Sequence, residues 1–216
     1  MLASEEQLAA LINTFRGGTR VHYKKGEFII RPGELPPGVF YIEQGLVKAY
    51  DITKYGEENL LIIRKEKEIF PLIWALTGQE RRVIYQALVP TVVWRLDRES
   101  YMKYIKDDSN PLAPVLDMTL EMYRIHSERI FNLEYRTVRE RLVSFLLMMS
   151  KRFGETHPDG SVLINVPLRQ QDLASSINAS RETTGREFSL LERKELVTSH
   201  QFLITLKDVK ALRKFL

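Results

Sequence analysis

Apolar positions in residues 4–16 recur at helical spacing. Leu8, Leu11, Ile12 and Phe15 share one face, which predicts a short amphipathic helix. From about Thr19 to Leu96 the texture changes to short apolar runs between turn residues. The runs are Phe28–Arg31, Val39–Glu43, Leu46–Ile52, Asn59–Arg64, Val83–Val89 and Thr91–Leu96. Turns such as Lys25-Gly26-Glu27, Pro32-Gly33-Glu34, Gln44-Gly45, Tyr55-Gly56-Glu57 and Thr77-Gly78-Gln79 separate them. Many short strands at this spacing predict an antiparallel barrel or sandwich.

Between Leu112 and Leu133 the period lengthens again. Leu112, Leu116, Thr119, Tyr123, His126, Ile130 and Leu133 fall at steps of three and four, or a double step, and form a heptad-like seam. Val115, Met118, Met122 and Ile125 widen the apolar face. A helix of that length against a barrel has a second surface to cover, and a second copy of the chain covers it most simply. The alternative is a helix packed wholly within its own chain. Arg136 to Phe153 reads as a further amphipathic helix with Val138, Leu142, Phe145, Leu146 and Met149 inward. Gly154 is its expected left-handed stop, and Pro158-Asp159-Gly160 a turn. Ser161–Val166 is a strand candidate closed by Pro167, and Asp208–Leu216 a terminal helix.

The last third of the chain carries the clearest chemistry. Gln171–Ile177 reads as a short helix with Leu173, Ala174 and Ile177 apolar. Asn178 suits a left-handed turn, and Ser180 suits the N-cap of a helix beginning Arg181-Glu182-Thr183-Thr184-Gly185-Arg186. Arginine can donate two parallel hydrogen bonds to guanine O6 and N7, and glutamate can accept from cytosine N4. Helix, tight turn, helix is a DNA-reading unit; the bland alternative is a surface helix with solvated charges. Three features favour DNA. Gly185 sits mid-helix, where it costs about 1 kcal/mol relative to Ala, so a close backbone approach is expected there. Leu196–Leu206 looks like a small hairpin, the wing of a winged helix. Charge is also local: residues 136–216 hold 14 Lys+Arg against 9 Asp+Glu, or +5, leaving −1 for the remainder of a chain at +4.

Bulk numbers set outer limits. At 216 residues there is room for two small domains. Cysteine is absent, which excludes disulfides, thiol catalysis and Cys-ligated iron–sulfur or zinc sites. No apolar run approaches the roughly 20 residues of a membrane span, and the N-terminus lacks a signal peptide's pattern. A cytoplasmic, non-membrane protein is expected. His22, His126, His157 and His200 lack metal-ligand spacing, so no metal and no cofactor are expected. No nucleophile elbow, P-loop, dinucleotide turn or His-Glu metal motif is found, and an enzyme is not expected.

Taken in order, these segments resemble the CRP/FNR superfamily of bacterial transcription regulators. Lys25-Gly26-Glu27, Pro32-Gly33-Glu34, Val39-Phe40-Tyr41-Ile42, Gly45-Leu46-Val47-Lys48 and Gly56-Glu57 are similar to its β-roll. Ala75-Leu76-Thr77-Gly78-Gln79 with Ala87-Leu88 is similar to its ligand cassette region. Asn132-Leu133, Val138 and Arg141-Leu142 fall where that family joins dimer helix to DNA-binding domain. Ser180 to Arg186 is similar to the recognition helix of the catabolite activator branch.

The resemblance implies an α+β fold: an antiparallel, cyclic-nucleotide-binding-like β-roll sensor over 1–110, a dimerisation helix over 111–135, and a winged helix-turn-helix over 136–216. It implies a homodimer on double-stranded DNA, its two reading helices about 34 Å apart on a palindrome. By the same resemblance Arg181 and Arg186 meet guanines and Glu182 a cytosine of a TGTGA-like half-site. Ser180, Thr183 and Gln170 are further DNA contacts. Where the family has Thr-Arg-Gln before the first reading helix, this chain has Arg169-Gln170-Gln171, without the usual cap. RNA polymerase and a small effector are further candidate partners.

The cassette departs from the cyclic-AMP branch. Pro71-Leu72 stands where that branch has Gly-Glu, and Arg81-Arg82 where it has Arg-Ser. Leu72 cannot accept a ribose hydrogen bond and Pro71 has no N–H, so an effector other than cyclic AMP is expected. Arg81 and Arg82 are either an anion site or two solvated arginines at a turn. Tyr123, His126 and Ser127 are the other candidate effector residues, with His126 equally readable as a packed side chain. A non-DNA β-roll module regulating a partner protein is the alternative function.

Overall fold

The computed structural model describes residues 2–107 and 110–216. Met1, Asp108 and Ser109 lie outside the described residues, the last two just before the expected boundary at 110. The chain forms two compact units, one of residues 1–51 with 61–125, the other of 52–60 with 126–216.

The first unit opens with helix α1 (Glu5–Arg16). Ser4 Oγ accepts from the Gln7 amide (3.2 Å) while Gln7 Oε1 accepts from the Ser4 amide (2.9 Å), which satisfies two end donors reciprocally. Eight strands follow: β1 (Thr19–Tyr23), β2 (Phe28–Ile30), β3 (Val39–Gln44), β4 (Val47–Ile52), β5 (Glu58–Arg64), β6 (Ile69–Phe70), β7 (Ile84–Ala87) and β8 (Thr91–Leu96). Helices α2 (Leu72–Thr77) and α3 (Arg98–Lys106) interrupt and close the series. The strands form two four-stranded sheets, in orders β1-β8-β3-β6 and β2-β7-β4-β5.

Strand periodicity explains how one run feeds two cores. Along β3 every residue from Val39 to Ile42 is buried. Phe40 and Ile42 point into a cluster with Val47, Ala49, Ile62, Phe70, Tyr85 and Val93. Val39 and Tyr41 point oppositely, into a cluster with Leu11, Phe15, Leu96, Tyr101 and Tyr104 from α1, β8 and α3. Phe40, Phe70 and Tyr85 stack in series, centroids 5.1 and 4.8 Å apart. Strands β1 and β6 escape the sequence reading: β1 carries polar residues on an outer edge, and β6 has two residues, too few to show a period.

Helix α4 (Ala113–Tyr135) begins in this unit and ends in the next. Its two faces separate more sharply than expected. Val115, Met118, Met122 and Ile125 do not widen the seam; they pack into the two cores of their own unit. The seam itself is bare: Leu112, Leu116, Tyr123, Ile130 and Leu133 are 37–72% exposed, and Thr119 and His126 are exposed beside them. Leu112 lies one residue before the helix, its carbonyl accepting from the Leu116 amide (3.0 Å).

In the second unit α5 (Val138–Phe153) follows α4 after a two-residue break, Arg136 and Thr137. Thr137 caps α5 through a capping box with Glu140. Leu142, Leu146 and Met149 are buried as expected, but Val138 and Phe145 are only half-buried. Gly154 does not adopt the left-handed stop; at φ −82° it begins strand β9 (Gly154–Thr156). Glycine is needed there for space, since a Cβ would stand 2.1 Å from the Ser150 carbonyl oxygen and 2.6 Å from Val162 Cγ1. Strand β10 (Val162–Ile164) follows, then helices α6 (Gln170–Ser176) and α7 (Arg181–Arg193), the hairpin β11 (Val197–His200) and β12 (Leu203–Leu206), and helix α8 (Val209–Arg213). The strands order as β11-β12-β10-β9. The start of β5 belongs to this unit and is held by Arg129 of α4. Its guanidinium donates to the Leu60 carbonyl (2.6 Å) and Asn59 Oδ1 (3.1 Å), and the Leu60 amide donates to Ser175 Oγ (3.4 Å). Burial pushes the Arg129 pKa down.

Candidate nucleic-acid interface

Local sequence decides which side of α7 faces out. Thr184, Phe188 and Leu191 are buried, at steps of four and three, which fixes the inner face. Arg181, Glu182 and Arg186 are therefore exposed on the outer face. The helix is about 19 Å long at 1.5 Å per residue. Ser180 Oγ accepts from the Thr183 amide (3.1 Å) and donates to Thr183 Oγ1 (2.9 Å); Arg186 Nη2 donates to the same oxygen (3.3 Å). Ser180, Thr183 and Arg186 are thus one small network at the start of the helix.

The turn before α7 has the expected geometry, with Asn178 at φ 50°. Arg141 Nη1 donates to the Asn178 carbonyl (3.4 Å), tying the turn to α5. Arg139 Nε donates to Glu187 Oε2 (2.6 Å), tying α7 to the same helix. At the head of α6 the missing threonine cap is replaced from the other side: the Arg169 amide donates to Asp172 Oδ2 (2.9 Å). Gln170 is exposed and reaches α7, its side-chain amide 3.9 Å from where a Cβ on Gly185 would lie. That distance is ordinary contact, so no part of the chain itself crowds Gly185, and its surface is left open to an outside partner.

The wing is formed as expected. The Leu168 amide donates to the Phe202 carbonyl (2.8 Å) and anchors the wing tip to the segment entering α6. Between α6, α7 and the wing lies an open cleft of about 690 Å³, lined by Gln170 and Arg181 together with Ser199, Gln201 and Phe202. Arg181, Glu182, Arg186, Ser180, Thr183 and Gln170 all belong to this one region, although they span 17 residues of sequence.

The effector candidates are not gathered in this way. Arg81 and Arg82 are exposed in the segment between α2 and β7. Tyr123, His126 and Ser127 are exposed on α4, two of them on the bare seam. Sequence reasoning missed Arg64 and Glu68, each 8% exposed and 3.6 Å apart. Arg64 Nε has no hydrogen-bond partner among the described residues. Burial pushes the Tyr85 phenol up, while the charges of Arg64 and Arg81 oppose the rise. A signal was present: Leu60, Ile62 and Arg64 alternate along β5, so the arginine takes an inward position. Among the described residues no group of three or more His, Cys, Asp or Glu could hold a metal, and no helix is long and apolar enough to cross a membrane.

A β-roll unit joined through a long helix to a helix-turn-helix with a wing defines a DNA-binding transcription regulator, not an enzyme. A β-roll acting without DNA leaves the reading helix and wing without a role. The Crp-like helix-turn-helix domain model matches residues 140–215 and the cyclic nucleotide-binding domain model residues 20–108. The global nitrogen regulator of Synechococcus elongatus is 28% identical over 98% of both chains. The cAMP-activated global transcriptional regulator CRP of Salmonella typhimurium is 24% identical over 93% of this chain and 95% of its own. A CRP/FNR-family transcriptional regulator from Thermus thermophilus superposes with a TM-score of 0.74 at 22% identity, covering 91% of this chain and 97% of its own. The chain belongs to the CRP/FNR superfamily.

Proposed function

We propose that this regulator is a homodimer that reads a TGTGA-like palindrome and responds to a small effector other than cyclic AMP. Residues 1–110 sense, 111–135 dimerise and 136–216 bind DNA. The observation that carries the reading is the outer face of α7: Arg181, Glu182 and Arg186 exposed together, held by the Ser180 cap and the inward Thr184, Phe188 and Leu191. Arg181 and Arg186 then pair with guanines and Glu182 with the opposed cytosine, while Ser180, Thr183 and Gln170 hold phosphates. The bare seam of α4 supports the dimer, since five large apolar side chains in register otherwise face water.

For the effector, Leu72 is 8% exposed and can accept no hydrogen bond, which removes the ribose partner of a cyclic nucleotide. Arg81 and Arg82, and the inward Arg64, favour an anionic ligand. Tyr123, His126 and Ser127 are the candidate effector residues on α4.

The test is fluorescence anisotropy on a TGTGA-N6-TCACA duplex beside a scrambled duplex at one salt concentration. The operator should bind selectively, and Arg181→Ala or Arg186→Ala should cost about 10- to 100-fold, the worth of one bidentate base contact. Equal affinity of the wild type for both duplexes, with and without candidate anionic effectors, overturns the half-site.

A further inference from the structure

The wing tip carries a residue that its own turn does not favour. Gln201 and Phe202 form a two-residue hairpin loop with φ of 49° and 67°. Such loops favour Asn-Gly, because both central residues must adopt positive φ, and a bulky residue there is a genuine outlier. The Phe202 ring gains little from the fold in return, being 57% exposed. Its position is nevertheless fixed, because its carbonyl accepts from the Leu168 amide (2.8 Å). A strained, anchored and exposed aromatic is explained by a partner rather than by the core.

The cleft shows which partner. Phe202 and Gln201 line the same cleft as Arg181 and Gln170. With Arg181 in the major groove, the strand bordering that groove would run past the wing tip, and the groove beyond that strand is the minor groove. Apolar side chains inserted at minor-groove steps contact sugar and base edges and partly unstack them. We propose that Phe202 is a DNA-contacting wedge, its ring lying against the minor groove beside the half-site. The inference rests on the reading of α7 as the major-groove helix. The contact is apolar, so it adds affinity without adding to the salt dependence set by phosphate neutralisation.

Phe202→Gly separates this role from a structural one, because glycine relieves the positive φ while deleting the ring. The variant should unfold at a higher temperature than the wild type, yet bind the operator duplex about tenfold more weakly, the worth of one base–aromatic contact. The slope of log affinity against log salt should not change. Phe202→Asn, which also tolerates the turn, should behave alike. Undiminished operator affinity in both variants overturns the proposal and leaves the ring to a protein partner or to none. If the wild type fails to distinguish operator from scrambled duplex, the half-site reading fails by itself. Phe202 is then judged on the scrambled duplex, where a tenfold loss supports the wedge and equal affinity removes it.

Discussion

Thr184 makes an unusual demand on the recognition helix. Its side chain is fully buried, at 0% exposure, and its hydroxyl has no hydrogen-bond partner among the described residues. A helical threonine ordinarily bonds the carbonyl four residues back, but the Ser180 carbonyl here accepts the Thr184 amide (2.9 Å) and not the hydroxyl. A buried hydroxyl without a partner costs about 1–3 kcal/mol. Thr184→Val keeps the branched shape and replaces the hydroxyl by a methyl, and helix propensity is nearly unchanged. The second unit should gain roughly 1–2 kcal/mol, taking the lower part of that range because the denatured chain also changes. Two units need not unfold together, so one global midpoint would blur the effect. Hydrogen exchange at the amides of Phe188 and Leu191 reads this helix directly, and a gain of about 1.4 kcal/mol slows exchange tenfold where opening is global. Thr184→Ser, which keeps the hydroxyl and loses the methyl, should lose about 0.8 kcal/mol. Operator affinity should not move in either variant, because the side chain faces away from Arg181 and Arg186. Faster exchange in Thr184→Val would refute the reasoning and show that the hydroxyl is satisfied in solution.

Other outcomes follow from the same geometry. Gly185→Ala should stabilise α7 by about 1 kcal/mol in the free protein, since the added Cβ meets nothing closer than the Gln170 amide at 3.9 Å; hydrogen exchange at the Phe188 and Leu191 amides checks this, and faster exchange would reveal a clash. Arg129→Met removes the hydrogen bonds donated to the Leu60 carbonyl, Asn59 and the Ser175 carbonyl, those from a charged donor being worth about 1.5 kcal/mol or more, and should speed exchange of the Leu60 amide. Leu116→Lys with Ile130→Lys puts two charges on the bare seam and should shift the chain to monomer in sedimentation, with folding unchanged because both sites are exposed. Hydrogen bonds from the Thr137 hydroxyl and amide hold the Glu140 carboxyl below its ordinary range. A carboxylate with a depressed folded pKa stabilises the cap above its unfolded value, about 4.3, and that contribution fades as pH falls through the folded value. The Glu140 carboxyl carbon should titrate below that value by NMR and move toward it in Thr137→Ala, which deletes the hydroxyl donor and keeps the amide.

Local rules carried much of the DNA-binding half. Asn178 takes the left-handed turn, Ser180 caps α7, and the apolar spacing of Thr184, Phe188 and Leu191 turns Arg181, Glu182 and Arg186 outward. Each depends on neighbours within about one helical turn, so sequence spacing reports it. The six strand runs between Phe28 and Leu96 were legible for a similar reason, because period 2 belongs to the strand itself. Tertiary structure decided the rest. Only packing sends Val115, Met118, Met122 and Ile125 into the cores and leaves Leu116, Tyr123 and Ile130 bare, since a heptad reads the same whichever partner covers it. Gly154 is required by the approach of Ser150 and Val162, not by a positive φ that its place after a helix suggested. Strands β1, β6 and β9 exist because neighbouring strands supply their hydrogen bonds, and runs this short or polar carry no period of their own. The inward Arg64 and the meeting of Phe202 and Arg181 on one cleft join residues far apart in the chain, which only the fold brings together.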